Sequence, residues 1–185
     1  FENPVTTPES LELMRILREM ADNGVTHVVL EVSSHALDLY RVYGCSIDIG
    51  IFTNLTQDHL DYHGDMNSYW SCKKRFFTQL SDYGSSSNGI SAVINHNDEK
   101  GKELIKLLEK SIGKPSVLSA GFSNGNSIQA KDITHDLTGI TGTIVTPAGA
   151  FGFKSPLVGK HNLENILCAT GVGIVLNLTL DSIKK

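Results

Sequence analysis

The chain has 185 residues, 40% hydrophobic and 19% charged, with a formal charge of -4 at pH 7; it can build an ordinary core, and it lacks the basic excess that nucleic-acid binders concentrate on one face. No stretch approaches the roughly 18 to 20 apolar residues that span a bilayer, and no basic-then-apolar signal opens the chain, so neither nucleic acid nor membrane is expected as a partner and a cytoplasmic monomer is. Cys45, Cys72 and Cys168 are odd in number and widely spaced, which suits buried thiols in a reducing compartment better than a disulfide framework or a zinc site.

In chain order, Thr7-Pro8-Glu9-Ser10 reads as a helix start, with Thr7 as the cap and Pro8 at the first helical position. Leu11, Met14, Leu17 and Met20 keep helical spacing, and Gly24 ends the run. Residues 27–32 and 47–52 read as buried strands, each followed by a polar cluster: Glu31-Val32-Ser33-Ser34-His35 after the first and Thr53-Asn54-Leu55-Thr56-Gln57-Asp58-His59 after the second. A helix over 66–80, a strand at 92–94, a helix over 98–110 and a strand at 116–119 continue the alternation. The expected fold is therefore α/β, a mostly parallel sheet flanked by helices. In such sheets ligands sit outside the carboxyl ends of the strands, where both polar clusters fall. Residues 127–153 change to short alternating runs with Gly and Pro between them, the pattern of a small antiparallel part. A last helix is expected from near Asn162 to before Asn177, and 84–89 reads as a serine-rich surface loop.

Chemistry concentrates at a few positions. Met66, Tyr69, Trp70 and Phe77 share one helix face, and Lys73 lies in its middle, so Lys73 is expected to point inward. A buried ammonium must pair with acids, lose its proton or be changed. A neutral amine can add to carbon dioxide and release a proton, leaving an anionic carbamate oxygen ligand. The competing account is that Lys73 snorkels to the surface beside Lys74 and Arg75. The run Asp58-His59-Leu60-Asp61-Tyr62-His63-Gly64 suits either metal binding or a polar turn with capping acids. Glu31, an acid in an apolar run, needs a cation or several donors, and a structural ion pair would serve equally well. Together Glu31, His59 and a carbamylated Lys73 would offer hard oxygens and one imidazole, a set suited to Mg²⁺ or Mn²⁺ on a phosphate.

Five strings, Thr6-Thr7-Pro8-Glu9-Ser10, Glu31-Val32-Ser33-Ser34-His35, Thr53-Asn54-Leu55 with Asp58 through Gly64, Tyr69 through Lys73, and Gly159-Lys160-His161-Asn162-Leu163-Glu164-Asn165, resemble in order and spacing the Mur ligase family. The first three are most similar to its MurE branch. The resemblance covers nearly the whole chain. It implies an ATP-dependent amide-forming ligase of peptidoglycan synthesis that adds the third amino acid, diaminopimelate or lysine, to UDP-N-acetylmuramoyl-L-Ala-D-Glu through an acyl phosphate. By the match, Glu31 would hold Mg²⁺ near the phosphates, and His59 and carbamylated Lys73 a second ion. Thr6, Thr7, Ser33 and Arg41 would hold the muramoyl-peptide, Asn162 and Asn165 would face the adenine, and Asn54 would neighbour the nucleotide. Asn162 and Thr7 could also serve as helix caps, and His35 and His63 are read as structural.

The family's Gly-rich phosphate loop, its UDP-binding domain and its amino-acid-selecting domain have no counterpart within the 185 residues. The chain is thus expected to be one central domain truncated at its N-terminus, unable to turn over by itself. Three rivals are weighed. A metal-dependent hydrolase would need more clustered histidines than His59 and His63. A non-catalytic binding module is disfavoured by the joint presence of Glu31, His59 and Lys73. A folylpolyglutamate-synthase-like ligase fits the Glu-Val-Ser-Ser-His and Asp-Tyr-His-Gly strings less well.

Overall fold

The computed structural model describes residues 6–57, 60–80, 90–110 and 115–185. Its elements follow in the order α1 (Ser10–Asp22), α2 (Ser34–Asp38), β1 (Ile49–Phe52), α3 (Leu60–His63), α4 (Met66–Thr78), β2 (Ser91–Asn95), α5 (Glu99–Glu109), β3 (Ser116–Gly121), β4 (Ile128–Asp136), β5 (Gly139–Thr146), β6 (Gly149–Ser155), α6 (Lys160–Val175) and α7 (Leu180–Lys184). The six strands form one sheet in sequence order. β1 through β4 run parallel, and β5 and β6 are antiparallel, as the change of pattern after residue 127 predicts.

The layering follows from β2. Ala92, Val93 and Ile94 are all at 0% exposure, and because successive side chains leave a strand on opposite faces, one strand must supply two cores. Ala92 and Ile94 pack with Phe52, Trp70, Phe76, Phe77, Leu104 and Leu108, the layer of α4 and α5. Val93 packs with Ile128, Ile144, Leu163 and Leu167, the layer of α6. Helix α6 lies so close that a Cβ on Gly171 would meet the Val93 side chain at 2.7 Å. The α4 face read from spacing is present: Tyr69, Trp70 and Phe77 are each 4% exposed, and Asp65 caps the helix by accepting from Asn67 and Ser68 N–H. The three thiols are buried.

Several expectations are corrected. Residues 27–32 form no strand and no helix, with Val28 47% and Val29 92% exposed. An apolar run becomes a strand only where a neighbouring strand pairs with it, and among the described residues none does. Glu31 is accordingly exposed rather than embedded. Helix α1 takes Glu9, not Thr7, at its cap, without a side-chain hydrogen bond, and Pro8 precedes the cap. Its inward residues are Leu13, Ile16, Leu17 and Met20, whereas Leu11 and Met14 are exposed. Gly24 ends it as expected, at φ +79°, with Gly24 and Val25 N–H donating to the Ala21 and Met20 carbonyls. The short helices α2, α3 and α7 are additions to the expected elements. The serine-rich stretch 84–89 lies outside the described residues.

Two consequences are measurable. A Cβ on Gly101 would run into the Asn95 carbonyl oxygen where α5 abuts the end of β2. Gly101→Ala should therefore cost about 1–3 kcal/mol despite alanine's better helix propensity, read as a lower urea midpoint. Burial, aided by Glu164, pushes the Cys168 thiol up to about 12 from its usual 9.0. Folding favours the neutral thiol, so its contribution is complete below pH 9 and is lost as pH climbs toward 12. Stability should fall with a slope of up to about 1.4 kcal/mol per pH unit from this group, and Cys168→Ala should remove that part of the slope.

Candidate functional site

The expected site residues among those described fall into three groups. The first joins the start of α1 to α2. Thr7, 1% exposed, donates its hydroxyl to the Glu31 carbonyl at 3.0 Å and accepts from Ser33 N–H at 3.2 Å. This β-like pair of bonds ties the segment before α2 to the start of α1, which is the role that replaces capping. Ser33 caps α2 by accepting from Ala36 N–H at 3.1 Å. Arg41 donates Nη1 to the Thr7 carbonyl at 3.0 Å and pairs Nη2 with Glu9 at 2.5 Å; its Nε is buried without a hydrogen-bond partner among the described residues. Thr6 is exposed beside Thr7. Thr6, Thr7, Ser33 and Arg41, far apart in sequence, thus share one place.

The second group surrounds the exit of β1. Lys73 is half-buried, not fully inward: its Nζ lies 5.2 Å from the centre of the Tyr69 ring and 3.5 Å from the Asn54 carbonyl. Its head reaches the strand exit from a half-buried position, between the two accounts the sequence allows. Asn54 is exposed. Asp58 and His59 lie outside the described residues, and among the described residues no three His, Cys, Asp or Glu side chains converge as a metal cage. Glu31, whose carbonyl joins it to the Thr7 group, is exposed and carries a carboxylate of the kind a hard cation takes.

The third group is the first turn of α6. Gly159, at φ 92°, is its N-cap, and Asn162 donates Nδ2 back to the Val158 carbonyl at 2.7 Å. Asn162 thereby stiffens the entry to the helix without capping it. Asn165 is exposed. A cavity of about 480 Å³ lies on the other side of this turn, lined by Phe122, Ile133, His135, Ile140, Lys160 and Leu163 among others, and neither asparagine lines it.

Residues the sequence left unassigned connect these groups. Asp38 on α2 accepts from the Tyr62 hydroxyl at 2.9 Å and from the Cys72 thiol at 3.4 Å, and lies 3.7 Å from Arg75. Those partners, the Tyr62 hydroxyl foremost, hold its carboxyl below the usual value against partial burial. His63 bonds the Ser34 hydroxyl at 2.9 Å and stacks on Tyr69 at 5.2 Å, while His35 lies on Tyr62 at 4.1 Å. Both histidines are thus packed as structural elements. On the other flank Asn97 accepts from Phe122 N–H at 3.0 Å, and Lys160 sits 5.4 Å from the Phe122 ring. The string Asn95-His96-Asn97-Asp98, at a strand's carboxyl end, was the available signal for this second network.

Replacing Thr7 by valine keeps shape but deletes both bonds to the Glu31–Ser33 segment. It should lower unfolding free energy by about 1–3 kcal/mol in denaturant titrations, with Thr7→Ser restoring most of it.

Residues 1–173 match the Mur ligase middle domain family. A UDP-N-acetylmuramoyl-L-alanyl-D-glutamate–2,6-diaminopimelate ligase from Geobacter metallireducens is 46% identical over 98% of this chain and 34% of its own length. One of the same name from Bacillus cereus is 39% identical over 99% of this chain and 36% of its own length. A solved diaminopimelate ligase of that name superposes on the whole chain with a TM-score of 0.85 at 32% identity, over 36% of the solved chain. MurF from Acinetobacter baumannii superposes on 74% of this chain and 28% of its own with a TM-score of 0.60 at 18% identity, a likeness of fold alone. The chain spans about a third of the length of the curated relatives it matches. With its parallel sheet, its β4–β6 extension and its five strings in register, the chain belongs to the Mur ligase family and corresponds to that family's middle domain.

Proposed function

We propose that the chain is the central part of an ATP-dependent amide ligase that adds diaminopimelate to UDP-N-acetylmuramoyl-L-alanyl-D-glutamate in peptidoglycan synthesis. The observation that carries this reading is the placement of Lys73, whose Nζ reaches the Asn54 carbonyl at the carboxyl end of β1 in a chain 46% identical to a ligase of that name. In the proposed reaction the substrate carboxylate takes the γ-phosphoryl group of ATP to give an acyl phosphate and ADP. The amine then attacks the acyl carbon, phosphate leaves, and the amine's proton is lost.

Within that reaction the chain's own residues bind and orient. The Arg41 guanidinium, whose buried Nε has no acceptor among the described residues, suits an anionic group of the muramoyl-peptide, and Thr6, Thr7 and Ser33 frame the same spot. Asn54 and the exposed side of the first α6 turn, with Asn162 and Asn165, are assigned to the nucleotide. Glu31, His59 and Lys73 as its carbamate would hold Mg²⁺, which supplies charge neutralisation of the transferring phosphoryl group.

Strand β1 ends the sheet, with Ile51 40% exposed, and the segment before α2 carries Val29 at 92%. Among the described residues the outer edge of β1 has no neighbour and would accept a partner strand. We assign that place to a strand from elsewhere in the protein, and expect the 185 residues, about a third of the length of their relatives, to be inactive alone.

The test is phosphate release from the intact protein with ATP, Mg²⁺, the muramoyl-dipeptide and either diaminopimelate or lysine. Release should require diaminopimelate and fall by about 100-fold or more in Lys73→Ala, the scale of losing one charge-stabilising group. The isolated 185-residue chain should give none. Release with lysine alone would reassign the substrate, and release insensitive to Lys73→Ala would remove Lys73 from the site.

A further inference from the structure

The turn from β2 into α5 is built around the backbone of Asn54. Asn95, 3% exposed, donates Nδ2 to the Thr53 carbonyl at 2.7 Å while its Oδ1 accepts from Asn97 N–H at 3.0 Å. Asp98 divides its carboxylate. Oδ1 caps α5, accepting from Lys100 and Gly101 N–H at 2.8 and 3.2 Å, and Oδ2 accepts from Leu55 N–H at 2.9 Å. The Thr53 carbonyl belongs to the peptide before Asn54 and the Leu55 N–H to the peptide after it, so both planes flanking Asn54 are held from the same turn. In a trans peptide N–H and C=O point in opposite directions. Asp98's hold on the Leu55 N–H therefore turns the Asn54 carbonyl away from α5, toward Lys73, where Nζ meets it at 3.5 Å.

We propose that Asn95 and Asp98 are positioning residues for the Lys73 end of the site, acting through the Asn54 peptides. The proposal rests on the ligase reading above. A carbonyl that swings freely would leave the Lys73 head group several orientations, and misplacement of about 1 Å costs roughly 100-fold in rate.

Asp98→Asn separates positioning from folding. Asparagine caps a helix as well as aspartate does, but with its oxygen on α5 it turns an NH₂ toward the Leu55 N–H. Asp98→Ser likewise caps and lacks the second acceptor. In the intact protein both variants should lower kcat by about 10- to 100-fold with KM for the muramoyl-dipeptide within about twofold. Their melting temperature should fall by no more than about 2–4 °C, the scale of one lost hydrogen bond in a large protein, and the Leu55 amide should exchange with solvent faster. Parental kcat in both variants, unchanged Leu55 exchange, or a loss that only tracks a falling melting temperature would overturn the proposal. Failure of the parent to ligate in the same assay would instead strike the functional reading, and Leu55 exchange would still test the clamp.

Discussion

Strand β2 can lie between two helical layers only if its backbone is paired along both edges and its polar groups find partners where it leaves the core. The first condition is met by β1 and β3. The second falls on Asn95, the last residue of the strand and itself buried. A buried amide that lacks partners costs as much as a hydrogen bond contributes or more, and this one is satisfied on both of its ends by backbone. The end of the central strand is therefore fastened to the exit of its neighbour, and the segments leaving both strands inherit that geometry. Gly101 belongs to the same arrangement, since α5 can begin directly under the Asn95 carbonyl only without a Cβ at that position.

Layered on this frame, the site is assembled by side chains that bond backbone rather than each other. Thr7 and Arg41 draw α1, the segment before α2 and the turn after α2 to one place. Arg75 bonds the Leu37 carbonyl at 2.9 Å while Asp38 gathers Tyr62 and Cys72, so α2, with the proposed substrate side chains at its start, is seated against α4, which carries Lys73. The two halves of the site are thereby packed through one helix pair.

How much of this was legible in the sequence depends on the kind of signal. Helix α4 was readable because a 3.6-residue period over thirteen positions admits one face, and β2 because a short apolar run between polar flanks must be buried on both sides. Residues 27–32 have the same composition and misled, because periodicity reports what a segment could bury and not whether a partner strand is there to pair with it. Thr7 misled differently: a threonine ahead of Pro-Glu-Ser has the local chemistry of a cap, yet its hydroxyl is claimed by Glu31 and Ser33, more than twenty residues away. The strings of the family contain Lys73 and Ser33, and the family match outside them pointed to Arg41. Asn95 and Asp98 stand in a polar string at a strand's carboxyl end, but what they hold could not be read locally, since their partners are backbone groups some forty positions upstream.

Lys73 shows why the half-buried state matters to chemistry. Fully exposed, an ammonium keeps its proton at neutral pH and does not react with carbon dioxide; fully buried, a carbamate would be as costly as the ammonium it replaced. Half-buried, with its Nζ beside both the Tyr69 ring and the Asn54 carbonyl at a strand exit, the side chain meets neither extreme. Solvent and cations reach the head group, while the aromatic wall restricts the orientations it samples. An anionic ligand formed there would be fixed in direction by the helix behind it and by the Asn54 peptide in front. The usefulness of the position thus comes from the boundary between α4's apolar face and the carboxyl edge of the sheet.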